Sequence, residues 1–293
     1  MRNYLELIRH CVDFGVRQKN RTGIDTYMIP GAMLQFNLQH GFPILTTKTV
    51  NFGAVAAELV GFIRGVDSAA AFRDLGTTIW DANANKNPQW LANPNRKGKD
   101  DLGRIYGKQW REWRYPAPGS FETVVEEVDQ LAVALHSIKN DPTSRRIIVS
   151  AWQPAELDQM ALPPCHLLYQ FLVGQAEHRL HMTMFMRSCD MFLGIPFNIS
   201  SYALLLSLVA QATGYTAGTL TMFLSDVHIY ENHKEQVATQ LDREPRLLPA
   251  LTSPVTPGAG PEKPLEWLEA IIPTDVGLAG YDPHPPIRAE MAV

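Results

Sequence analysis

Two short stretches hold the residues best suited to chemistry. In Leu162-Pro163-Pro164-Cys165-His166 a thiol follows two chain-fixing prolines and precedes a polar side chain. In Met182–Asn198, Arg187 and Ser188 are followed by Asp190, Gly194 and Asn198. Cysteine attacks as its thiolate, and a neighbouring cation lowers the thiol pKa. A phosphate-binding site beside Cys165 would therefore both anchor a substrate and favour the attacking anion. Guanidinium forks fit phosphate oxygens, and a serine hydroxyl adds a donor. Arg145-Arg146, directly before the apolar Ile147-Ile148-Val149, brings two more forks to the mouth of a buried strand. The plainer alternatives are a buried structural thiol and solvated surface arginines. The setting of Cys165 favours the nucleophile, whereas Cys11 and Cys189 keep the structural reading.

Other side chains extend the pattern. Asn198 offers an amide donor and acceptor together, which suits a base edge; it could equally cap the apolar helix it opens. His228 and Tyr230 are two apart, so on an extended segment they point the same way. Glu58 interrupts an otherwise apolar helix, and an isolated buried carboxylate is costly unless paired or used. Trp80 offers a flat face for a ring, although tryptophan more often packs in a core. A Cys-His protease pair is disfavoured, because adjacent Cys165 and His166 would point to opposite faces of a strand.

The elements that must position these residues follow from periodicity. Tyr4, Leu5, Ile8 and Val12 have helical spacing that stops at Gly15, and Ala32, Leu34, Phe36 and Leu38 alternate as a strand. Val55–Ile63 reads as a helix carrying Glu58. Asn83–Asp101, rich in Asn with Pro88 and Pro94, reads as a long loop. Val124, Val128, Leu131 and Leu135 mark a helix ending near Asn140-Asp141-Pro142. Ile147–Trp152, His166–Val173 and Arg179–Arg187 read as strands. Asn198–Thr213 reads as a buried helix ending at Gly214. Pro245–Pro264 reads as a surface excursion, and the chain after Gly280 as irregular. Helices and strands mix without regular βαβ alternation, which predicts an α+β fold on a large mixed sheet, as one domain over residues 1–293.

Composition bounds the function. The chain has 293 residues, 45% hydrophobic and 19% charged, enough for a substantial core. A net charge of −4 argues against a bulk electrostatic nucleic-acid binder but not against one local phosphate pocket. Three widely spaced cysteines give no CxxC pair and no metal-ligand spacing, and free thiols fit a reducing compartment. Met1–His10 lacks a secretory apolar region and no long uninterrupted apolar run occurs, so a cytoplasmic, soluble protein without a membrane partner is expected.

The motifs also resemble a known family, the thymidylate synthases. The resemblance runs through Arg21-Thr22-Gly23, Thr46-Thr47-Lys48, Ile79-Trp80-Asp81, Asp101-Leu102-Gly103-Arg104-Ile105-Tyr106-Gly107 and Ser144-Arg145-Arg146. After the Cys165 segment it continues through Arg187-Ser188-Cys189-Asp190, Pro196-Phe197-Asn198, Asp226-Val227-His228-Ile229-Tyr230, Gly280-Tyr281-Asp282-Pro283-His284-Pro285 and Glu290-Met291-Ala292-Val293. These stand in the family's order along almost the whole chain.

What the resemblance implies is specific. Cys165 would add to C6 of the uracil of dUMP, with Glu58, Tyr106, Asp190 and Asn198 as the other catalytic residues. Arg21, Arg145, Arg146, Arg187 and Ser188 would hold the phosphate, Asn198 the base, and His228 and Tyr230 the ribose; His166 and Asp190 complete the substrate set. Trp80, Asn83, Asp190, Gly194 and Ala292 would face the co-substrate, 5,10-methylenetetrahydrofolate, and no metal is called for. Arg145-Arg146 would come from the second subunit of a homodimer joined through the sheet, with shared sites and no obligatory nucleic acid. The carboxy-terminal tail would fold over the complex and exclude water. Two other readings stand beside this one: a deoxyuridylate hydroxymethylase, in which water rather than hydride meets the exocyclic methylene, and a catalytically idle nucleotide-binding protein. The chain departs from the usual family pattern at Met186 (commonly Gln), Ser225 (Gly), Thr49 (Arg) and Ile24-Asp25 (Thr-Gly). Methionine before Arg-Ser also occurs in the related hydroxymethylases.

Overall fold

The computed structural model describes residues 1–116, 125–254 and 260–291. In chain order the elements begin with α1 (Arg2–Phe14), β1 (Val16–Gln18), β2 (Thr26–Asn37), α2 (Phe52–Ile63), α3 (Ala69–Asp74), α4 (Asp81–Asn85), α5 (Pro88–Leu91) and α6 (Tyr106–Arg111). There follow β3 (Trp113–Pro116), β4 (Val125–Val128), α7 (Gln130–Asn140), β5 (Ile148–Ser150), β6 (His166–Gly174), β7 (Arg179–Asp190), α8 (Gly194–Thr213) and β8 (Thr216–Tyr230). The last are α9 (Lys234–Leu241), β9 (Ala250–Thr252), α10 (Pro264–Ala270) and β10 (Gly277–Ala279).

The main sheet has six strands in the order β1-β2-β8-β7-β6-β5. All neighbours are antiparallel except β7 and β8, which run parallel. A parallel pair needs a crossover, and α8 supplies it, so β7-α8-β8 is the one βαβ unit inside this α+β architecture. By length and mean hydropathy α8 resembles a membrane span, yet it is 83% buried within the fold. Three of its hydroxyls are satisfied inside the helix: Ser200, Ser207 and Thr213 donate to the carbonyls of Pro196, Ala203 and Val209. Gly214 ends it at φ 83°, a left-handed cap that glycine adopts without penalty.

Several boundaries differ from the sequence expectations. The stretch expected as a loop over Asn83–Asp101 contains part of α4 and all of α5. Its asparagines cap and stitch rather than solvate: Asn87 Oδ1 accepts from Gln89 N, Asn85 donates to Asp100, and Arg73 pairs with Asp81 and Asp100. The helix expected from Val124 starts later. Val124 lies outside the described residues, Val128 closes β4, and Asp129 caps α7 by accepting from Ala132 N. Its buried face runs through Leu131, Ala134, Leu135 and Ile138. In turn, α8 starts at Gly194, so Asn198 lies inside the helix and does not cap it. Asp190 instead orders the turn that leads into the helix, its Oδ1 accepting from the backbone N–H groups of Phe192 and Leu193.

Candidate active site

Cys165 stands immediately before β6, where three segments meet. Its backbone N–H donates to Tyr106 Oη at 2.8 Å, and its carbonyl accepts from Arg187 N at 2.8 Å. Arg187 is held by the diproline: Nε donates to Pro164 O (2.8 Å) and Nη2 to Pro163 O (3.0 Å). That leaves Nη2 3.9 Å from Cys165 Sγ. The two prolines thus fix the thiol's backbone and aim a cation at it.

The electrostatics of the sulfur correct one expectation. Burial pushes the Cys165 pKa up, and although Arg187, Arg21 and the Ser188 hydrogen bond pull it down, Asp190 opposes them and the net shift is upward. Desolvation outweighs the cations. The same interactions place Arg21, Arg187, Ser188 and Asp190 within electrostatic reach of the sulfur. Tyr230 feels Asp190, Arg21 and Cys165 as well, after the larger effect of its own burial. Arg21 itself is exposed, on a β1–β2 loop stitched by Asn20, which accepts from Thr22 N and Oγ1 and donates to Ile24 O.

Asp190 ends β7 opposite His228 on β8. Gly194 opens α8 beside it: a Cβ there would lie 3.5 Å from Asp190 Cβ and 3.8 Å from Asn198 Oδ1. The half-buried Asn198 amide has no hydrogen-bond partner among the described residues, so its donor and acceptor are both available. His228 is buried, with Nδ1 3.0 Å from Asp226 Oδ1 and 3.2 Å from Asp226 O. Both partners can only accept, so Nδ1 is the donor. The His228 and Tyr230 rings meet edge to face at 5.2 Å.

Behind Cys165 lies an aromatic cluster. Glu58 is buried in α2, and burial raises its pKa to about 7, opposed by a 3.1 Å hydrogen bond from Trp80 Nε1. Trp80 is 5% exposed, packed against Phe62, Phe72 and Tyr106, so its indole serves Glu58 from within the core. Tyr106 holds its phenol proton strongly, chiefly through burial and secondarily through Cys165. Its ring stacks on His166 at 4.0 Å. His166 Nδ1 lies 2.6 Å from Tyr202 Oη, and burial drives its pKa to about 3, so the ring stays neutral. It engages this cluster rather than the thiol.

Among the described residues, no hydrogen bond or ion pair ties Arg145, Arg146 or Asn83 to Cys165. Arg145 and Arg146 are exposed beside the edge strand β5, and neither guanidinium has a hydrogen bond or ion pair among the described residues. Asn83 lies half-buried on α4, its amide likewise unpartnered there. Ala292 lies outside the described residues.

Residue-by-residue reasoning passed over Lys48, Asp226 and Tyr202. Lys48 is buried, donates to Phe192 O and sits 3.5 Å above the Phe192 ring; burial lowers its pKa to about 8 against the pull of Asp190. Asp226 orients His228. Tyr202, a phenol in an all-apolar helix, was a visible signal, and Lys48 stood in a quoted motif. Among the described residues no group of three or more His, Cys, Asp or Glu side chains gathers as a metal site.

The thymidylate synthase family model matches residues 2–293. The chain belongs to the thymidylate synthase family. Curated relatives agree: thymidylate synthase of Pseudomonas putida strain KT2440 is 45% identical, and that of Pseudomonas syringae pv. tomato strain DC3000 is 44% identical, each covering 100% of both chains. Thymidylate synthase of Bordetella parapertussis is 43% identical, again over 100% of both chains. The α+β fold on a large mixed sheet is consistent with the thymidylate synthase fold, and membership makes the chain a methyltransferase. The match extends over the positions that depart from the usual pattern, Ile24-Asp25, Thr49, Met186 and Ser225.

Proposed function

We propose that this chain methylates dUMP to dTMP with 5,10-methylenetetrahydrofolate, and that Cys165 is the nucleophile. The observation that carries the assignment is the sulfur's position: 3.9 Å from a guanidinium fixed by the diproline, with Tyr106 Oη on its own backbone N–H.

The roles are those the family resemblance implies, and the geometry is compatible with them. Arg21, Arg187 and Ser188 take the 5′-phosphate on the sulfur's side, Asn198 reads N3–H and O4 of uracil, and His228 with Tyr230 takes the ribose. Addition of the thiolate to C6 makes C5 nucleophilic. The folate supplies a one-carbon unit and then a hydride to the exocyclic methylene. Glu58, near pKa 7 and polarised by Trp80, shares its proton with O4 through water. Tyr106, as a neutral phenol, hydrogen-bonds the water that takes up the C5 proton, and expulsion of the thiolate from C6 releases dTMP. The folate side fits this chain: Asp190 accepts its turn hydrogen bonds through Oδ1, Gly194 leaves open the space a Cβ would occupy, and the Asn83 amide has no partner among the described residues. His166 acts from behind, stacked on Tyr106 and bonded to Tyr202. Ala292, outside the described residues, is assigned to the folate side by the family resemblance alone.

The homodimer rests on two supports. The face of the sheet away from α8 exposes Met33, Phe223, Phe185 and Leu168, which stand side by side on β2, β8, β7 and β6. Arg145 and Arg146 are exposed near the β5 edge, and neither guanidinium has a partner among the described residues. We read residues 1–293 as one cytoplasmic domain acting without nucleic acid or membrane.

The assignment of Cys165 is tested by Cys165→Ser. Turnover should fall by several powers of ten, as for other nucleophile deletions, while dUMP affinity by calorimetry stays near wild type because phosphate and base contacts lie on other residues. Near-normal turnover would remove Cys165 from the chemistry.

A further inference from the structure

The carboxy-terminal segment is fastened in two unequal parts. Residues 281–285 are pinned firmly to the 45–50 and 243–246 stretches: Tyr281 Oη donates to Leu45 O, His284 N to Thr46 O, Thr49 Oγ1 to His284 O and Arg243 Nη1 to Pro285 O. Beyond Pro285 the tail packs only Ile287 and Ala289 on the core. Among the described residues, its one hydrogen bond there runs from His233 Nε2 to Glu290 O at 2.7 Å. A carbonyl can only accept, so the imidazole is the donor.

His233 is 1% exposed and sits on the short turn Glu231–His233 that follows Tyr230. Its ring touches both halves of the candidate site. It lies 5.6 Å from Tyr230, on the nucleotide side, and 5.4 Å from Phe192, on the folate side. Phe192 in turn donates its N–H to Asp190 and accepts from Lys48. Its Nδ1 is buried without a partner among the described residues, so the ring's polar anchorage is the tail.

We infer that His233 is the latch of the carboxy-terminal tail, a positioning residue that holds Glu290-Met291 against the site and transmits the placement of Tyr230 and Phe192 to tail closure. The inference rests on the proposed site, but its first readout needs no catalysis. His233→Phe keeps an aromatic ring and deletes the donor. In the ligand-free variant, carboxypeptidase Y should release Val293, Ala292 and Met291 about fivefold faster or more, the worth of one hydrogen bond. During turnover, tritium release from C5-labelled dUMP should exceed dTMP formed, because an unlatched tail admits water before methylation is complete. His233→Gln, which retains an N–H donor, should stay close to wild type in both. A folded Phe variant with wild-type release and one dTMP per tritium would overturn the latch. Should that variant not fold, wild-type sequence suffices: a chain ending at Arg288 should expose His233 to diethyl pyrocarbonate, while the full chain protects it. Equal protection in both would contradict the inference. Faster tail release with an unexpected nucleotide product would leave the latch standing and count instead against the proposed reaction.

Discussion

At the residue scale, two ionisations are tuned against their ordinary direction by burial. Cys165 resists becoming a thiolate although Arg187 and Arg21 favour it, and Glu58 holds its proton to about pH 7 although Trp80 donates to its carboxylate. Glu58 has a stability consequence. The folded carboxyl keeps its proton up to about pH 7 while the unfolded one releases it near 4.5, so its favourable contribution is complete below pH 4.5 and is lost as pH rises to 7. Glu58→Gln retains an acceptor for Trp80 and cannot titrate. Relative to wild type it should gain about 3 kcal/mol across that window, seen as a growing gap in denaturant midpoints between pH 4.5 and 7.5. A constant gap would mean that the buried carboxyl titrates normally. At this scale the sequence was informative about identity and less so about energetics. The Pro-Pro-Cys-His and Arg-Ser motifs singled out a sulfur and a cation that do meet. The sign of the thiol shift was not legible, because it depends on how much of the sulfur the folded chain covers.

At the element scale, one turn brings the Tyr106 segment to the Cys165 segment. Leu102, Gly103 and Arg104 lie along Gln159–Ala161: Arg104 N donates to Gln159 O and Ala161 N to Leu102 O. Tyr106 follows directly on one side and Pro163-Pro164-Cys165 on the other. Gly103 has φ 66°, and a Cβ there would lie 2.0 Å from Gln159 O and 2.9 Å from Trp90 Cη2. Both the backbone conformation and the space demand glycine. Gly103→Ala should cost roughly 2–4 kcal/mol in denaturant unfolding and loosen the Tyr106–Cys165 contact. A loss under about 0.5 kcal/mol would show that this turn does not fix the site. Among the elements, α1 was legible by its apolar period, and α2 and most of α8 by nearly continuous apolar runs that bury every side. β8 was not assigned, although Leu220, Met222 and Leu224 alternate inward. Thr216–Gly218 at its start and the outward Phe223 blur that period, since a central strand is covered unevenly on its two faces. α7 was displaced because the apolar spacing continues from β4 into the helix, and only the Asp129 cap marks the boundary.

At the scale of the whole molecule, the proposed dimer accounts for both the exposed apolar face of the sheet and the Arg145-Arg146 pair, which has no partner among the described residues. Sheet-to-sheet association would cover the first and carry the second toward a neighbouring site. Mixing an Arg145→Ala/Arg146→Ala chain with a Cys165→Ser chain, each inactive alone, should restore part of the activity once subunits exchange, because one site per heterodimer is then intact. Differently tagged chains verify the exchange, and heterodimers without recovered activity would count against shared sites. The family and the fold class were legible in the ordered motifs. The tail's attachment at His233 was not, because it joins residues 57 apart in sequence through one ring and one carbonyl.

The central claim is that this site carries the one-carbon unit through to a methyl group while holding water away. The most direct test is mass spectrometry of the nucleotide formed from dUMP and 5,10-methylenetetrahydrofolate, with the absorbance of dihydrofolate followed in the same reaction. The account predicts dTMP, with one dihydrofolate appearing for each. A 5-hydroxymethyl nucleotide accompanied by tetrahydrofolate would contradict it.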